Sequence, residues 1–318
     1  MTGDARQVWV LADPRAGTAA QALGIAERLG LPFRTLALEW SALARLPLPV
    51  PSLAGLAPGA RTAFAPPWPA LAISAGRRSA PVARWLARRG VRTVHCMRAW
   101  PAAGLDLLVI GRHDLAPAAG DPPRAPNILP ILGAAHRVSP ARLAAARAEW
   151  AALAALPSPR VALLVGGPVR GEGMPPGGAA ALGARVAGFA GSVLATASRR
   201  TGAAATGALA AALGPVPHRL HRWGAEGPNP LLGFMAWADA MVVTGDSVSM
   251  LSEALVTSAP IFIAPMGDEG RRHLALHESL YAARQARPLA AAPTPFARTP
   301  LDETARIAAK IRGRGLLG

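Results

Sequence analysis

The chain has 318 residues, 51% hydrophobic and 16% charged, with a mean hydropathy of +0.27; that is enough apolar side chain for the cores of two ordinary domains and too much for disorder. Lys and Arg number 34 against 18 Asp and Glu, a net +16, yet aromatics are only 5% and no long basic run occurs, so a nucleic-acid binder is not expected and an anionic membrane surface or phosphorylated substrates are the expected partners. The single cysteine, Cys96, excludes a disulfide framework and any cysteine-based zinc site.

In chain order, the polar start Met1 to Gln7 does not read as a signal peptide. Val8 to Ala12 reads as a strand, Asp13 to Thr18 as a turn with Thr18 as N-cap, and Ala19 to Leu29 as a helix. Phe33 to Leu38 is the next strand. Leu46 to Pro69 is a Pro-rich irregular stretch, long for a connection, in which Trp68 is a candidate lipid contact. Leu71 to Ser74, Thr93 to Cys96 and Leu107 to Ile110 are further strands, and Ser79 caps a helix that ends near Arg89. Pro140 to Leu156 reads as one helix, with Ser139 as N-cap and Pro140 in its first turn.

Pro157-Ser158-Pro159 marks the expected domain boundary, giving domains 1–157 and 158–318, with a last helix of about 301–312 that could pack back on the first. In the second half Val161 to Val165, Ser192 to Ala197, Arg219 to His221, Ala240 to Thr244 and Pro260 to Ala264 read as strands. Helices are expected at Thr201 to Leu213, Pro230 to Trp237, Val248 to Ser258, Arg272 to Ala283 and Leu301 to Arg312. Alternating strands and helices in both halves predict an α/β protein: two Rossmann-like, doubly wound domains facing each other across a cleft, with ligands outside the carboxyl ends of the strands. The basic excess leans to the first half, with 18 basic against 8 acidic residues through Pro157 and 16 against 10 from Ser158 on. No stretch reaches the ~18 apolar residues of a spanning helix. The expected location is cytoplasmic, with peripheral attachment to the inner face of the cytoplasmic membrane through the first domain.

The densest polar cluster, Thr244-Gly245-Asp246-Ser247-Val248-Ser249-Met250-Leu251-Ser252-Glu253, runs from a strand through a Gly turn into a helix. Free N–H groups at such a helix start, with the hydroxyls of Ser247 and Ser249, suit an anion, and Glu253 could accept both hydroxyls of a ribose beside it. Asp246 or Ser247 as a plain N-cap is the competing reading. Gly166 and Gly167 leave one strand and would let the backbone approach a ligand. Ser198-Arg199-Arg200-Thr201 leaves another, with a guanidinium pair that matches a pyrophosphate. There is no G-x-G-x-x-G after a strand and no Walker A sequence. His273 and His277 stand at i and i+4, but without a third ligand nearby no metal site is expected.

The segment NPLLGFMAWADAMVVTGDSVSMLSEALVTSAPIFIAP resembles the bacterial branch of the mitochondrial-fission "elongated mitochondria" family. So do LADPRAGTAAQALGIAERLG, ISAGRRSAPVARWLA, GRHD, LGAAHRV and ASRRTG, so the resemblance covers most of the chain. The loop Pro168 to Gly178 and the segment His95 to Arg98 depart from the family pattern. Plant members are associated with recruiting a dynamin-related protein to mitochondria. The motif around Ser252-Glu253 is also similar to the donor site of MurG-type glycosyltransferases of the GT-B fold.

That resemblance implies a nucleotide-diphosphate sugar held by the second domain on Gly166, Gly167, Ser198, Arg199, Arg200, Thr201, Asp246, Ser247, Ser249 and Glu253. The sugar would pass to an envelope or lipid-linked glycan acceptor on the first domain, with no cofactor and no metal. Asp13, His113 and Asp114, each just after a strand, are the candidate catalytic groups, a His beside a carboxylate being able to take a proton from an acceptor hydroxyl. The alternatives are a nucleotide-sugar epimerase of the same fold and a non-catalytic membrane-associated interaction protein.

Overall fold

The computed structural model describes residues 7–46, 48–99, 101–115, 125–168, 173–267 and 269–317. The expected polar N-terminus through residue 6 and residues 169–172 of the loop Pro168 to Gly178 lie outside the described residues. The chain divides into two compact units, residues 1–137 with 302–318, and residues 138–301.

Unit 1 runs β1 (Val8–Ala12), α1 (Ala16–Leu29), β2 (Phe33–Ala37), a 3-10 turn at Ala42–Arg45, α2 (Pro58–Arg61), β3 (Leu71–Ala75), α3 (Ala80–Ala87), β4 (Arg92–Cys96), β5 (Leu107–Gly111), α4 (Arg112–Leu115) and β6 (Ile128–Ile131). Unit 2 continues with α5 (Pro140–Glu149), a 3-10 turn at Ala151–Ala155, β7 (Arg160–Val165), α6 (Pro176–Ala187), β8 (Ser192–Ala197), α7 (Ala203–Leu213), β9 (His218–His221), α8 (Leu231–Trp237), β10 (Ala240–Thr244), α9 (Val248–Ala254), β11 (Ile261–Ala264), α10 (Arg271–Ala282) and β12 (Arg287–Pro288). The last helix, α11 (Glu303–Gly313), returns to unit 1.

Each unit holds a six-stranded parallel sheet, ordered β2-β1-β3-β4-β5-β6 in unit 1 and β12-β11-β10-β7-β8-β9 in unit 2. The central strands are nearly all apolar because both faces are covered. In unit 1, Val8, Val10, Ile73, Val94 and Val109 meet Ile25 and Leu29 of α1 and Ile307 and Ile311 of α11. Trp9, Leu11 and Ala72 point the other way, onto Val82, Leu86 and Phe64. In unit 2, Val161, Leu163, Val165, Val193 and Val242 pack on Leu182 and Val186 of α6 and Leu209 and Leu213 of α7. The order in unit 2 is that of a Rossmann sheet, reversing between β7 and β10; in unit 1 the order reverses between β1 and β3.

Several local expectations change. The division falls at Val138 and not near Pro157. The helix expected from Pro140 to Leu156 stops at Glu149, and a 3-10 turn follows. The reason for both is Trp150, which leaves helical geometry (φ −101°, ψ 31°) and stacks edge-on at 6.4 Å against Phe234 of α8, over Gly233, where any Cβ would strike the indole. Ser139 does cap α5, its Oγ accepting Arg142 N–H at 3.0 Å. Thr18 is no cap: α1 starts at Ala16 after Arg15. Ser79 Oγ donates back to Ala75 O at 2.7 Å and accepts no helix N–H. Trp68 is no loop-tip anchor. It packs edge-on against Trp9 at 6.0 Å and Trp85 at 5.7 Å, while the Arg89 guanidinium lies 3.3 Å over the Trp85 ring. The strands Ile128–Ile131 and Arg287–Pro288 and the helix Pro176–Ala187 were not expected from the pattern. Among the described residues no helix is long and apolar enough to cross a membrane.

Candidate functional site

The carboxyl ends of β7, β8 and β10 carry the polar loops of unit 2, and the switch between β7 and β10 joins two of them. Gly166 N–H donates to Thr244 Oγ1 at 2.8 Å, and Gly167 N–H donates to Asp246 Oδ2 at 2.6 Å. Asp246 is buried, 4% exposed, and Arg200 reaches Oδ2 from the β8 loop at 3.6 Å. A Cβ on Gly166 would fall on the Asp246 carboxylate, and one on Gly167 would fall on the Arg200 carbonyl. The paired glycines therefore admit the chain's own carboxylate and backbone, where a ligand's approach was expected.

Ser198 and Thr201 are likewise spent within the chain. Thr201 Oγ1 accepts Ser198 N–H at 2.9 Å and donates to Val165 O at 3.0 Å, and Ser198 Oγ donates to Gly166 O at 3.0 Å. Helix α7 starts after Gly202, with no side-chain cap, so its first N–H groups meet no side chain of the loop. Arg199 beside it is exposed. Ser247 is the N-cap of α9, its Oγ accepting Met250 N–H at 3.4 Å, which is the plain cap reading weighed against a hydroxyl for an anion. Ser252 Oγ back-bonds to Val248 O at 2.6 Å and is buried.

Ser249 and Glu253 stand one turn apart on the outward face of α9, Ser249 exposed and Glu253 half-buried. No hydrogen bond or ion pair to the Glu253 carboxylate forms among the described residues. Burial pushes its carboxyl up to about 7, against the pull of the Arg142 charge. Within the cluster the Glu253 carboxylate and the Ser249 hydroxyl have no hydrogen-bond partner among the described residues, and Asp246 keeps one oxygen, Oδ1, unbonded.

Two residues the pattern did not single out complete the arrangement. Arg298 fans its guanidinium over the end of α9, donating to Ala254 O (2.8 Å), Leu255 O (3.1 Å), Ala259 O (2.7 Å), Thr257 Oγ1 (3.0 Å) and Gln285 Oε1 (3.0 Å). Burial lowers its pKa to about 10. It fixes the helix that carries Glu253, and no local signal announces it, because its partners are carbonyls some forty residues back. Glu269 takes Met266 N–H (2.6 Å) and Gly267 N–H (2.9 Å), shaping the turn after β11. Of the histidine pair, His277 bonds Gly245 O at 2.8 Å, and His273 loses proton affinity to burial, partly offset by the nearby Asp246 charge. No group of three His, Cys, Asp or Glu side chains fit to hold a metal occurs among the described residues.

The candidate catalytic groups of unit 1 do not meet. Asp13 is buried and accepts Arg15 N–H at 2.9 Å and Trp40 Nε1–H at 3.0 Å. His113 lies after β5, three strands from β1, ~14 Å across the sheet at ~4.8 Å per strand. His113 and Asp114 do pair, Nε2 to Oδ2 at 3.7 Å, with the His113 side chain buried.

Solved structures of similar architecture include MurG from Acinetobacter baumannii (TM-score 0.50, 13% identity, 98% of this chain and 92% of that one). They include the glycosyltransferase SnogD from Streptomyces nogalater (0.52, 17% identity, 98% and 94%) and the UDP-GlcNAc 2-epimerase from Methanocaldococcus jannaschii (0.51, 11% identity, 97% and 100%). At these identities the likeness establishes the fold, which is that of the GT-B glycosyltransferases with two Rossmann-like domains. The mitochondrial fission protein ELM1 of Arabidopsis thaliana is 31% identical over 231 residues, 64% of this chain and 53% of that protein, so the chain spans about half the length of its curated relative. The profile of the family described as Mitochondrial fission ELM1 matches residues 16–314, and the chain belongs to that family.

Proposed function

We propose that unit 2 binds a nucleotide-diphosphate sugar and that the protein transfers the sugar to an acceptor hydroxyl held by unit 1. The observation that carries this reading is Glu253, a half-buried carboxylate with its pKa raised to about 7 and with no hydrogen-bond or ion-pair partner among the described residues, on the helix that follows β10. A ribose diol would supply two donors and favour the ionised form. Ser249 lies one turn before it for a further contact. Arg199 and the open first turn of α7 take the diphosphate, while Arg200, Asp246, Gly166 and Gly167 hold the loops that frame it. Ser198, Thr201 and Ser247 act as positioning residues in this reading.

The leaving diphosphate is stabilised by guanidinium and backbone N–H groups, so the scheme routes no step through a metal. The His113–Asp114 pair takes the acceptor proton, and Asp13, held by Trp40, orients the acceptor loop. The acceptor is an envelope or lipid-linked glycan. The protein attaches peripherally to an anionic inner membrane face. Calorimetric titration with UDP, GDP, ADP and CMP tests the reading. Binding of one at micromolar to low millimolar concentration is expected, and no heat from any of the four at millimolar concentration overturns it.

The likeness to a 2-epimerase favours a second reaction on the same ligand. Incubating sugar nucleotides in heavy water separates the two, since epimerisation at a carbon bearing hydrogen places deuterium there and transfer does not. A non-catalytic interaction protein is the outcome if Glu253→Ala fully complements a gene deletion.

A further inference from the structure

Outside the loops of unit 2, unit 1 holds a cavity of about 510 Å³ at the carboxyl ends of β3 and β4, near the switch between β1 and β3. Such a volume is in the ordinary range for a small-molecule site. Its walls are mostly aliphatic, with Leu46, Leu48 and Val82 among them, and four arginines line it: Arg77, Arg78, Arg84 and Arg98. No carboxylate is among its described lining residues. Arg84 is held by the carbonyls of Pro101 and Ala103, and burial lowers its pKa, so its charge is fixed in place as part of the wall. Among the described residues Arg77 donates one hydrogen bond, to the Leu46 carbonyl at 3.3 Å. Arg78 and Arg98 have no hydrogen-bond or ion-pair partner among the described residues.

The rim adds a second, independent observation. Five large hydrophobic side chains are strongly exposed among the described residues, and three of them fall within eight residues: Leu46 (56%), which lines the cavity, and Leu43 (48%) and Val50 (57%), the chain neighbours of its lining residues Ala44 and Pro49. An exposed aliphatic cluster on an otherwise polar surface marks a contact with something apolar. Uncompensated guanidinium groups beside an apolar wall mark an anion, because their forks match phosphate oxygens.

We infer that this cavity binds a phosphate-bearing single-chain lipid presented by a membrane. The phosphate lies on Arg78 and Arg98, the first methylenes lie on the wall of Leu46, Leu48 and Val82, and Leu43 and Val50 enter the outer acyl layer. A free anion would leave the aliphatic wall unmatched, and a neutral lipid would leave the arginines unmatched. The inference uses residues of unit 1 alone and does not depend on nucleotide binding by unit 2.

The experiment is calorimetric titration of the full chain with decyl phosphate below its micellar concentration, with inorganic phosphate and decanol as parallel arms. Saturable one-to-one binding of decyl phosphate is expected, about tenfold or more tighter than either control. Arg78→Ala/Arg98→Ala, checked for an unchanged circular dichroism spectrum, weakens it by about tenfold or more. Leu43→Ser/Val50→Ser keeps that soluble-lipid affinity and loses co-flotation with vesicles of phosphatidylcholine and phosphatidic acid. Inorganic phosphate binding as tightly, decanol binding as tightly, or an unchanged affinity in the arginine variant each overturns the proposal.

Discussion

In unit 2 the loops at the switch between β7 and β10 are closed by the chain itself: Asp246 fills the space over Gly166, accepts Gly167 N–H, and is paired by Arg200. In unit 1 the turn after β3 and the loop after β4 leave arginines open along an apolar wall. The two edges follow the same topological rule and differ in where the charge is spent. A polar cluster after a strand is therefore a ligand site only for the groups that remain unpaired once the loops have tied each other down. By that measure unit 2 keeps Glu253, Ser249 and Arg199, and unit 1 keeps Arg78 and Arg98.

The comparison breaks most visibly if the fixed groups are removed. Arg298→Met removes five donations at and beyond the end of α9; Ala254 O keeps Thr257 and Leu255 O keeps Leu301 N–H, so Ala259 O is the carbonyl left without a donor among the described residues. A loss of ~3 kcal/mol is expected in urea unfolding, since one orphaned buried acceptor costs ~1–3 kcal/mol and the lost bonds came from a charged donor. A cost under ~1 kcal/mol would mean that water replaces it. Next in size, Gly167→Ala forces its methyl against the Arg200 carbonyl. Overpacking of this kind costs ~1–3 kcal/mol, and the same substitution at Gly177, where a Cβ meets nothing, changes stability little.

In unit 1, Trp40→Phe leaves Asp13 Oδ2 without its indole donor, at ~1–2 kcal/mol. The smallest effect is chemical. Burial pushes the Cys96 thiol up to about 12, so a thiol reagent at pH 8 should label it only at the rate of unfolding. Rapid labelling of native protein would contradict the packed core described for β4.

The sheets were legible because their strands are buried on both faces and read as apolar runs, as VWVLA and LLVIG do. The polar loops were legible as positions and not as roles. Ser198, Thr201 and Asp246 carry ligand-binding chemistry on paper, and only tertiary structure reveals that their partners are strand-end groups such as Val165 O, Gly166 O and Gly167 N–H. Helix α6 escaped notice because it opens on Pro-Gly-Gly. The end of α5 escaped because the docking of Trp150 on Gly233 is a contact across the chain. The arginine cavity is invisible to pattern, since Arg77 and Arg98 stand twenty-one residues apart and meet only through the β3–β4 pairing.

Glu253→Gln tests the account most directly, by stability and nucleotide binding measured on the same variant at two pH values. With its folded pKa raised from 4.5 to about 7, Glu253 lets the wild type lose stability as pH rises through that window, because the unfolded chain releases the proton first. Gln removes the penalty, so the variant should be more stable than wild type at pH 8, by on the order of 1–3 kcal/mol, and equal to it near pH 4. It should also lose binding of whichever nucleoside diphosphate the wild type takes. A variant no more stable at pH 8 and binding as the wild type does would contradict the assignment of Glu253 as the unpaired acceptor of the site.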